Sequence, residues 1–312
     1  MKKQTRERTL QKSKFNKNKI VENLELWLMT LPGLILTLIF CYIPMIGVII
    51  AFKKFNPNLG IFASKWVGFD NFTFFFKSND FVRIMRNTLG YSFSFLFLDN
   101  FCAMGLAVLI YNVQKRYAIK YYQTTMILPN FMSMVLVAFI VYAFLNPVSG
   151  IVNNAFGLKL DWYGEAEYWP FILAFVHIWK SVGMSSILYY AALMGIDESL
   201  FEAARIDGAT RRHEIIYIMI PELMNLICMK LILGIGGMIS GDFGLHYQVT
   251  MNVGKLYSTT DIINTYVFRA LQQATNMGRT AAIGLFQSVT GMILVVSANL
   301  IVKKIDEEKS MF

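Results

Sequence analysis

Long segments with few or no charged side chains constrain this chain more than any other feature. The first, Leu26–Phe52, contains no charged residue. A helix rises about 1.5 Å per residue, so about 20 apolar residues cross the hydrocarbon core of a bilayer. Five further apolar segments have this length, and we expect them to span the membrane at residues 88–111, 121–145, 168–194, 223–241 and 281–302. The pattern predicts an all-α membrane protein with six spans.

The composition excludes a soluble enzyme. Hydrophobic residues make up 55% of the chain and charged residues 16%, whereas soluble domains carry about 25% charged residues. The net charge of +9 does not indicate nucleic-acid binding, because the basic residues lie between the apolar segments rather than on one soluble face. Cys41, Cys102 and Cys228 all fall inside apolar segments, so they predict neither disulfides nor a metal site.

The distribution of Lys and Arg predicts the orientation. Residues 1–25, 114–120, 195–222 and those after 302 contain 17 of them, whereas segments 53–87, 146–167 and 242–280 contain 10. The more basic side is expected to be cytoplasmic, which places both termini in the cytoplasm. We expect residues 1–25 to form a disordered basic arm near anionic lipid and 303–312 a cytoplasmic tail. Lys53 and Lys54 lie outside, against this trend.

The sequence predicts no catalytic site, metal site or bound cofactor. The Gly254-Lys255 pair lacks both the preceding glycine and the following Ser or Thr of a phosphate-binding loop. The histidines lie on different parts of the predicted topology: His177 in a span, His213 in a cytoplasmic loop and His246 in an outer loop. This separation favours neither a zinc site nor a catalytic triad.

Cytoplasmic segment 197–221 is predicted to form two short helices. Ser199 and Glu202 have the spacing of a capping box for the first helix, and Gly208 is suited to end it. Thr210 is expected to cap the second helix and Pro221 to end it before the fifth span. The two helices carry apolar side chains that we expect to dock into a groove of a partner protein, namely Leu200, Phe201, Ala203, Ala204, Ile215 and Ile218.

Segment 197–221 carries three short motifs, Glu202-Ala203-Ala204, Ile206-Asp207-Gly208-Ala209 and Ile218-x-Ile220-Pro221. Together they resemble the EAA loop of ABC importer permeases, specifically the carbohydrate group related to the maltose permeases. The segments that start at Leu31, Thr260 and Ile283 resemble the branch that transports oligosaccharides of the polygalacturonan and aldouronate types. The sequence departs from the usual loop pattern at Arg211, Arg212, Ile215 and Ile220.

The resemblance implies a type I permease with a cytoplasmic two-helix coupling loop, in the cytoplasmic membrane of a bacterium. It implies a second homologous permease, two ATPase subunits that bind ATP and Mg, an extracytoplasmic solute-binding protein and an oligosaccharide substrate, which we expect to be acidic. Coupling to the ATPase is then expected at Glu202, Ala203, Ala204, Asp207, Gly208 and Pro221. An ion-coupled secondary transporter and a non-transporting scaffold are the alternatives; the first would require paired carboxylates or inverted repeats.

Charged side chains inside the spans require partners, because a charge at the centre of a membrane helix costs about 2.5–3.5 kcal/mol. His177, Lys180 and Met184 share one helix face and are candidates for the substrate path. An ion pair of Asp99 with Lys180 or Lys230 is the structural alternative. Aromatic residues of the outer loops are expected to form an interfacial belt for the most part, namely Phe55, Trp66, Phe69, Phe72, Trp162, Tyr163 and Trp169.

Overall fold

The computed structural model describes residues 17–272 and 277–306, and almost all of its regular structure is helical. Most of the predicted basic arm and residues 307–312 of the tail lie outside these ranges. The α-helices are α1 (Lys17–Thr37), α2 (Gly60–Ala63), α3 (Asp70–Phe76), α4 (Phe81–Tyr111), α5 (Arg116–Ile127), α6 (Met134–Leu145), α7 (Ile151–Phe156), α8 (Trp169–Leu193), α9 (Glu198–Ile206), α10 (Arg211–Glu214), α11 (Ile220–Gly237), α12 (Tyr257–Thr260), α13 (Ile263–Gln272) and α14 (Met277–Ile305).

Among the described residues, five helices are long and apolar enough to cross a membrane, and a bent pair can supply a sixth span. The first span coincides with the predicted Leu26–Phe52. It begins in α1 and continues through a π-helical turn, Leu38–Tyr42, and a 3-10 segment, Ile43–Phe52. Pro44 lies at the start of the 3-10 segment, where its missing N–H removes an α-helical hydrogen bond.

The third predicted span, 121–145, is not one continuous helix. Arg116–Phe131 and Met134–Leu145 meet at an angle of 98°. Pro129 lies in the 3-10 turn Leu128–Phe131 that ends the first part, and Ser133 begins α6 by accepting a hydrogen bond from the Leu136 N–H at 3.2 Å. Hydropathy alone missed the break, because residues 121–145 contain no charged side chain on either side of it.

The predicted end of the second cytoplasmic helix at Pro221 is wrong. Helix α10 continues through a π-helical turn, Ile215–Met219, into α11, so Arg211–Gly237 is one helical unit. The Ile220 N–H donates to the carbonyl of Ile215 across the widened turn. The wider turn accommodates the proline ring, which would clash with a carbonyl in a regular α-helix.

Helix α4 packs along α8 and forms the centre of the bundle. Small residues bring other helices close to this pair: an added Cβ at Gly183 would lie 1.9 Å from the carbonyl oxygen of Met126. At one end of the pair, Trp169 and Leu173 are fully buried in a cluster with Tyr163. Tyr163 and Trp169 therefore belong to the core of the protein rather than to the predicted aromatic belt.

A two-stranded antiparallel ribbon, β1 (Lys53–Lys54) and β2 (Lys65–Trp66), follows the first span. Trp66 stacks on Phe52 with ring centroids 5.7 Å apart, and Phe69 and Phe72 pack edge-on or tilted against the same ring. Trp66 and Phe69 remain exposed. This part of the outer aromatic set thus has the exposure that an interfacial belt requires.

Candidate functional site

Segment 197–221, which resembles a coupling loop, begins with a cap that differs from the predicted one. Asp197 is the N-cap of α9, and its carboxylate accepts a hydrogen bond from the Ser199 N–H at 3.0 Å. This backbone hydrogen bond, followed by one from the Ser199 side chain, lowers the pKa of Asp197. The predicted Ser199–Glu202 capping box is wrong because Asp197 already occupies the cap position. Glu202 is consequently left exposed on the surface of α9.

Gly208 ends α9 in the left-handed conformation, with φ +80°, as the sequence indicated. Apart from its chain neighbours, no atom of the described residues lies within 4 Å of the position that a Cβ would take, so backbone conformation rather than space demands glycine here. Thr210 then begins α10 and forms a capping box with His213. Asp207 and Gly208 are exposed at the tip of the segment.

An ion-pair network fixes α9 against α10. The Glu214 carboxylate is buried and accepts a hydrogen bond from Arg205 Nε at 2.8 Å and another from Arg211 Nη1. Arg205 lies in α9, whereas Glu214 and Arg211 lie in α10. Because the carboxylate is buried, its contacts with the two arginines offset its loss of hydration. The turn at Gly208 is therefore held at a defined angle.

Phe201 anchors segment 197–221 to the membrane bundle. Its side chain is 2% exposed and packs in a cluster with Tyr189, Leu193 and Met219. The prediction that Phe201 docks into a partner is therefore wrong, since the protein's own core covers this side chain; Ile215 and Ile218 are partly buried against the same cluster. Within segment 197–221, the large apolar side chains that remain exposed are Leu200, Ile206, Ile216 and Tyr217.

A polar network lies between α4, α8 and α11 inside the bundle. Asp99 accepts hydrogen bonds from the hydroxyl groups of Ser181 at 2.7 Å and Ser185 at 2.8 Å. Lys230 Nζ lies 3.4 Å from the same carboxylate. Of the two alternatives that the sequence left open, the structure forms the Asp99–Lys230 pair. Sequence reasoning missed the serines, although their i, i+4 spacing beside Lys180 places both on one helix face.

Lys180 has a different set of partners. Its ammonium nitrogen donates to the backbone carbonyl oxygens of Pro129, Asn130 and Met132 at 3.2, 3.0 and 2.6 Å. These carbonyls belong to the break between α5 and α6, where the helical hydrogen-bond pattern is interrupted. Carbonyl groups without partners are costly inside a membrane protein. Lys180 therefore stabilises the broken third span with all three of its N–H donors.

The other two candidates for the substrate path lie on the same helix in different environments. The His177 ring stacks on Phe95 with centroids 4.1 Å apart, and Met184 is exposed. Buried His246, from the segment after α11, packs edge-on against Tyr91 at 4.6 Å. Within residues 17–272 and 277–306, no group of three His, Cys, Asp or Glu side chains is arranged to hold a metal ion.

Comparisons with known proteins agree over most of the chain. Residues 101–307 match the family described as the binding-protein-dependent transport system inner membrane component. Protein LplB of Bacillus subtilis (strain 168) is 36% identical over 287 residues, which cover 91% of this chain and 90% of that protein. The polygalacturonan/rhamnogalacturonan transport system permease protein YteP of the same organism is 33% identical and covers 93% of this chain and 91% of its own.

Two solved structures have the same architecture. A chain of a bacterial ABC transporter involved in the import of the acidic polysaccharide alginate superposes with a TM-score of 0.83 and 34% identity. The superposition covers 93% of this chain and 98% of that chain. A bacterial alginate ABC transporter in complex with an alginate pentasaccharide-bound periplasmic protein gives a TM-score of 0.82 at 34% identity, covering 92% and 97% of the two chains.

Proposed function

Since the chain belongs to the family of binding-protein-dependent transport system inner membrane components, we propose that it is the permease subunit through which a bacterial ABC importer takes up acidic oligosaccharides. The observation that carries this proposal is the two-helix segment from Asp197 to Met219, which is anchored in the bundle and continuous with α11. A displacement at the tip of this segment reaches the spans without passing through a flexible linker.

Coupling to the ATPase is assigned to the exposed surface of this segment. Glu202 and Ala203 are exposed on α9, and Asp207 and Gly208 are exposed at its tip. Ala204 is half-buried beside them, and Pro221 lies exposed where the helical unit enters α11. ATP and Mg bind to the partner ATPase subunits, whose closure moves this loop and changes the side of the membrane to which the path is open.

A second permease is the partner that the first span requires. Every described side chain from Leu26 to Ile46 is exposed in the single chain, so this length of helix extends away from its own bundle. A homologous permease that packs against it completes the transmembrane unit, with lipid on the remaining faces. The termini are cytoplasmic, and the solute-binding protein docks on the opposite side.

The relatives support an acidic sugar as the substrate class. The matched alginate importer takes up an acidic polysaccharide, and YteP is described as a polygalacturonan/rhamnogalacturonan permease. Both polymers contain uronate residues. His177, Lys180 and Met184 remain the proposed path residues inside the membrane. Backbone carbonyl groups already bind the Lys180 ammonium. We therefore propose that Lys180 maintains the shape of the path and does not contact the sugar directly.

Reconstitution tests the proposal directly. The chain is purified with its partner permease and ATPase subunits and placed in proteoliposomes with the binding protein outside. ATP-dependent uptake of a uronate oligosaccharide is the expected result, and absence of ATP-dependent uptake of any oligosaccharide would reject the proposal.

Gly208→Val tests the coupling role in the same system. Valine at φ +80° is strained, so we expect at least a tenfold loss of substrate-stimulated ATP hydrolysis. Gly208→Asn should retain most activity, because asparagine tolerates this conformation. Gly60→Val is the matched control, since Gly60 also has a positive φ and open space around it but lies outside the coupling segment. Equal losses at Gly208 and Gly60 would reject the coupling role.

A further inference from the structure

Segment 53–87 carries more positive charge than an outer segment should. It contains six Lys or Arg residues and two Asp residues, although basic residues are normally concentrated on the cytoplasmic side. The structure accounts for one of them: Lys53 is buried, and its Nζ donates to the carbonyl oxygens of Ile61 and Phe62 at 2.9 and 2.7 Å. Arg83 is in a different environment. It lines a cavity together with Arg269 and Arg279, which are distant from it in the sequence.

The cavity has a volume of about 320 Å³ and lies at the end of the bundle opposite to the coupling segment. Arg83 is in the first turn of α4, whereas Tyr111 at the other end of α4 packs against Phe201 of the coupling segment. Their separation of 28 positions corresponds to about 42 Å of helix. The cavity therefore opens on the side where the proposed orientation places the binding protein and its sugar.

Two of the three arginines are held in place by one buried carboxylate. Asp261 accepts hydrogen bonds from Arg83 Nη2 at 3.3 Å and from Arg269 Nη2 at 2.5 Å. Asp80 binds the same Arg83 nitrogen at 2.9 Å. The Arg269 guanidinium also lies over the Tyr257 ring at 4.1 Å. Both guanidinium groups are therefore oriented before any ligand arrives.

Arg279, the third arginine, is placed by a close helix contact. It lies in the first turn of α14, after Gly278, where an added Cβ would lie 2.5 Å from the carbonyl oxygen of Lys53. Gly278 therefore lets α14 begin directly against the end of the first span. The Arg279 guanidinium then lies 3.6 Å from the centroid of the Phe74 ring, on the wall of the cavity.

The lining has the chemistry of a carboxylate site. It contains three arginines and two aspartates, which leaves one net positive charge. Guanidinium groups bind carboxylates through paired hydrogen bonds. Phe74, Tyr257 and Tyr266 add aromatic surface. The volume is at the lower end of the range for ligand pockets, about 300–1,000 Å³, so the cavity suits one sugar residue rather than a chain.

We infer that this cavity is a carboxylate subsite that receives one uronate residue of the oligosaccharide as the sugar passes from the binding protein into the permease. The inference rests on the proposed function, because the ligand is the sugar that the importer takes up. It adds a contact on the outer side of the membrane that no path residue inside the spans supplies. It also gives a reason for one of the basic residues in segment 53–87, Arg83.

Arg279→Gln tests the subsite in the reconstituted complex. Uptake is measured at saturating concentrations of binding protein loaded either with the uronate oligosaccharide or with its methyl ester, which is neutral. We expect the uptake rate of the uronate sugar to fall about tenfold, because a charge-assisted contact is lost, while that of the neutral sugar stays within twofold. Lys54→Gln removes an exposed positive charge of the same segment outside the cavity and should change neither rate.

Asp80→Asn should have the opposite effect, since it removes a negative charge from the lining and keeps an oxygen that can accept from Arg83. The ratio of uronate to neutral uptake should rise. Equal losses of both sugars in Arg279→Gln would overturn the inference. A loss for both sugars that appears only at subsaturating binding protein would also overturn it, since the arginine would then bind a carboxylate of the binding protein. Failure of the proposed function is distinguishable, because the unaltered complex would then import neither sugar.

Discussion

Lys180 Nζ lies 2.6 Å from the carbonyl oxygen of Met132, at the point where the third span breaks. Lys180→Met would remove the donor to the Asn130 and Met132 carbonyls in an apolar interior, at a cost of about 1–3 kcal/mol; Pro129 also accepts from the Met132 N–H. We expect the purified complex to unfold at a temperature several degrees lower, measured by thermal denaturation. Lys180→Arg should retain part of the stability.

Two results would assign Lys180 another role. Unchanged stability together with a selective loss of uronate uptake in Lys180→Met would indicate that its charge contacts the sugar in the path. Recovery of stability on adding Asp99→Asn would indicate that Asp99 is its partner. We expect no such recovery, because Asp99 pairs with Lys230.

The Asp99–Lys230 pair predicts a strong coupling between two mutations. Lys230→Met leaves the Asp99 carboxylate with hydroxyl partners alone, and we expect it to destabilise the complex by about 3 kcal/mol. Asp99→Asn in the same chain should restore part of this loss, giving an interaction energy of about 1–3 kcal/mol in a double-mutant cycle of unfolding free energies. Additive effects would show that the two side chains do not interact.

Phe201 and Ile206 lie on the same short helix and should respond differently to truncation. Phe201→Ala removes a side chain that is 2% exposed and should destabilise the chain by about 3–5 kcal/mol. Ile206→Ala removes one that is 86% exposed, so we expect stability to be unchanged and affinity for the ATPase subunits to fall. Thermal denaturation and co-purification measure the two effects. If neither variant loses ATPase binding, the docking surface lies elsewhere.

The orientation can be tested with single cysteines in a chain that lacks Cys41, Cys102 and Cys228. Glu165 and Arg212 are both exposed. A cysteine at Glu165 should react with a membrane-impermeant thiol reagent in intact cells, whereas one at Arg212 should react only after the cells are opened. The reverse pattern would invert the orientation, and it would also move the arginine cavity to the cytoplasmic side.

Much of the membrane architecture was predictable, because apolar length is a property of the chain itself, whereas the orientation expected from Lys and Arg stays a prediction. The first span has the bounds that hydropathy predicted, Leu26–Phe52. Gly208 takes the left-handed conformation that its position in the motif predicted. The break at Pro129 and the passage of helix through Pro221 were not predictable, because both depend on hydrogen bonds formed across an interrupted turn.

The sequence by itself determined that this chain lies in a membrane, that its spans contain a few charges and that a two-helix loop resembles a coupling loop. Only the tertiary structure decided which charges meet. Asp99 is separated from Lys180 by 81 residues and from Lys230 by 131, and the packing of α4 against both helices selects Lys230. Arg83, Arg269 and Arg279 likewise come together only because the starts of α4 and α14 pack beside α13. Long-range contacts of this kind depend on helix packing, which local residue patterns do not encode.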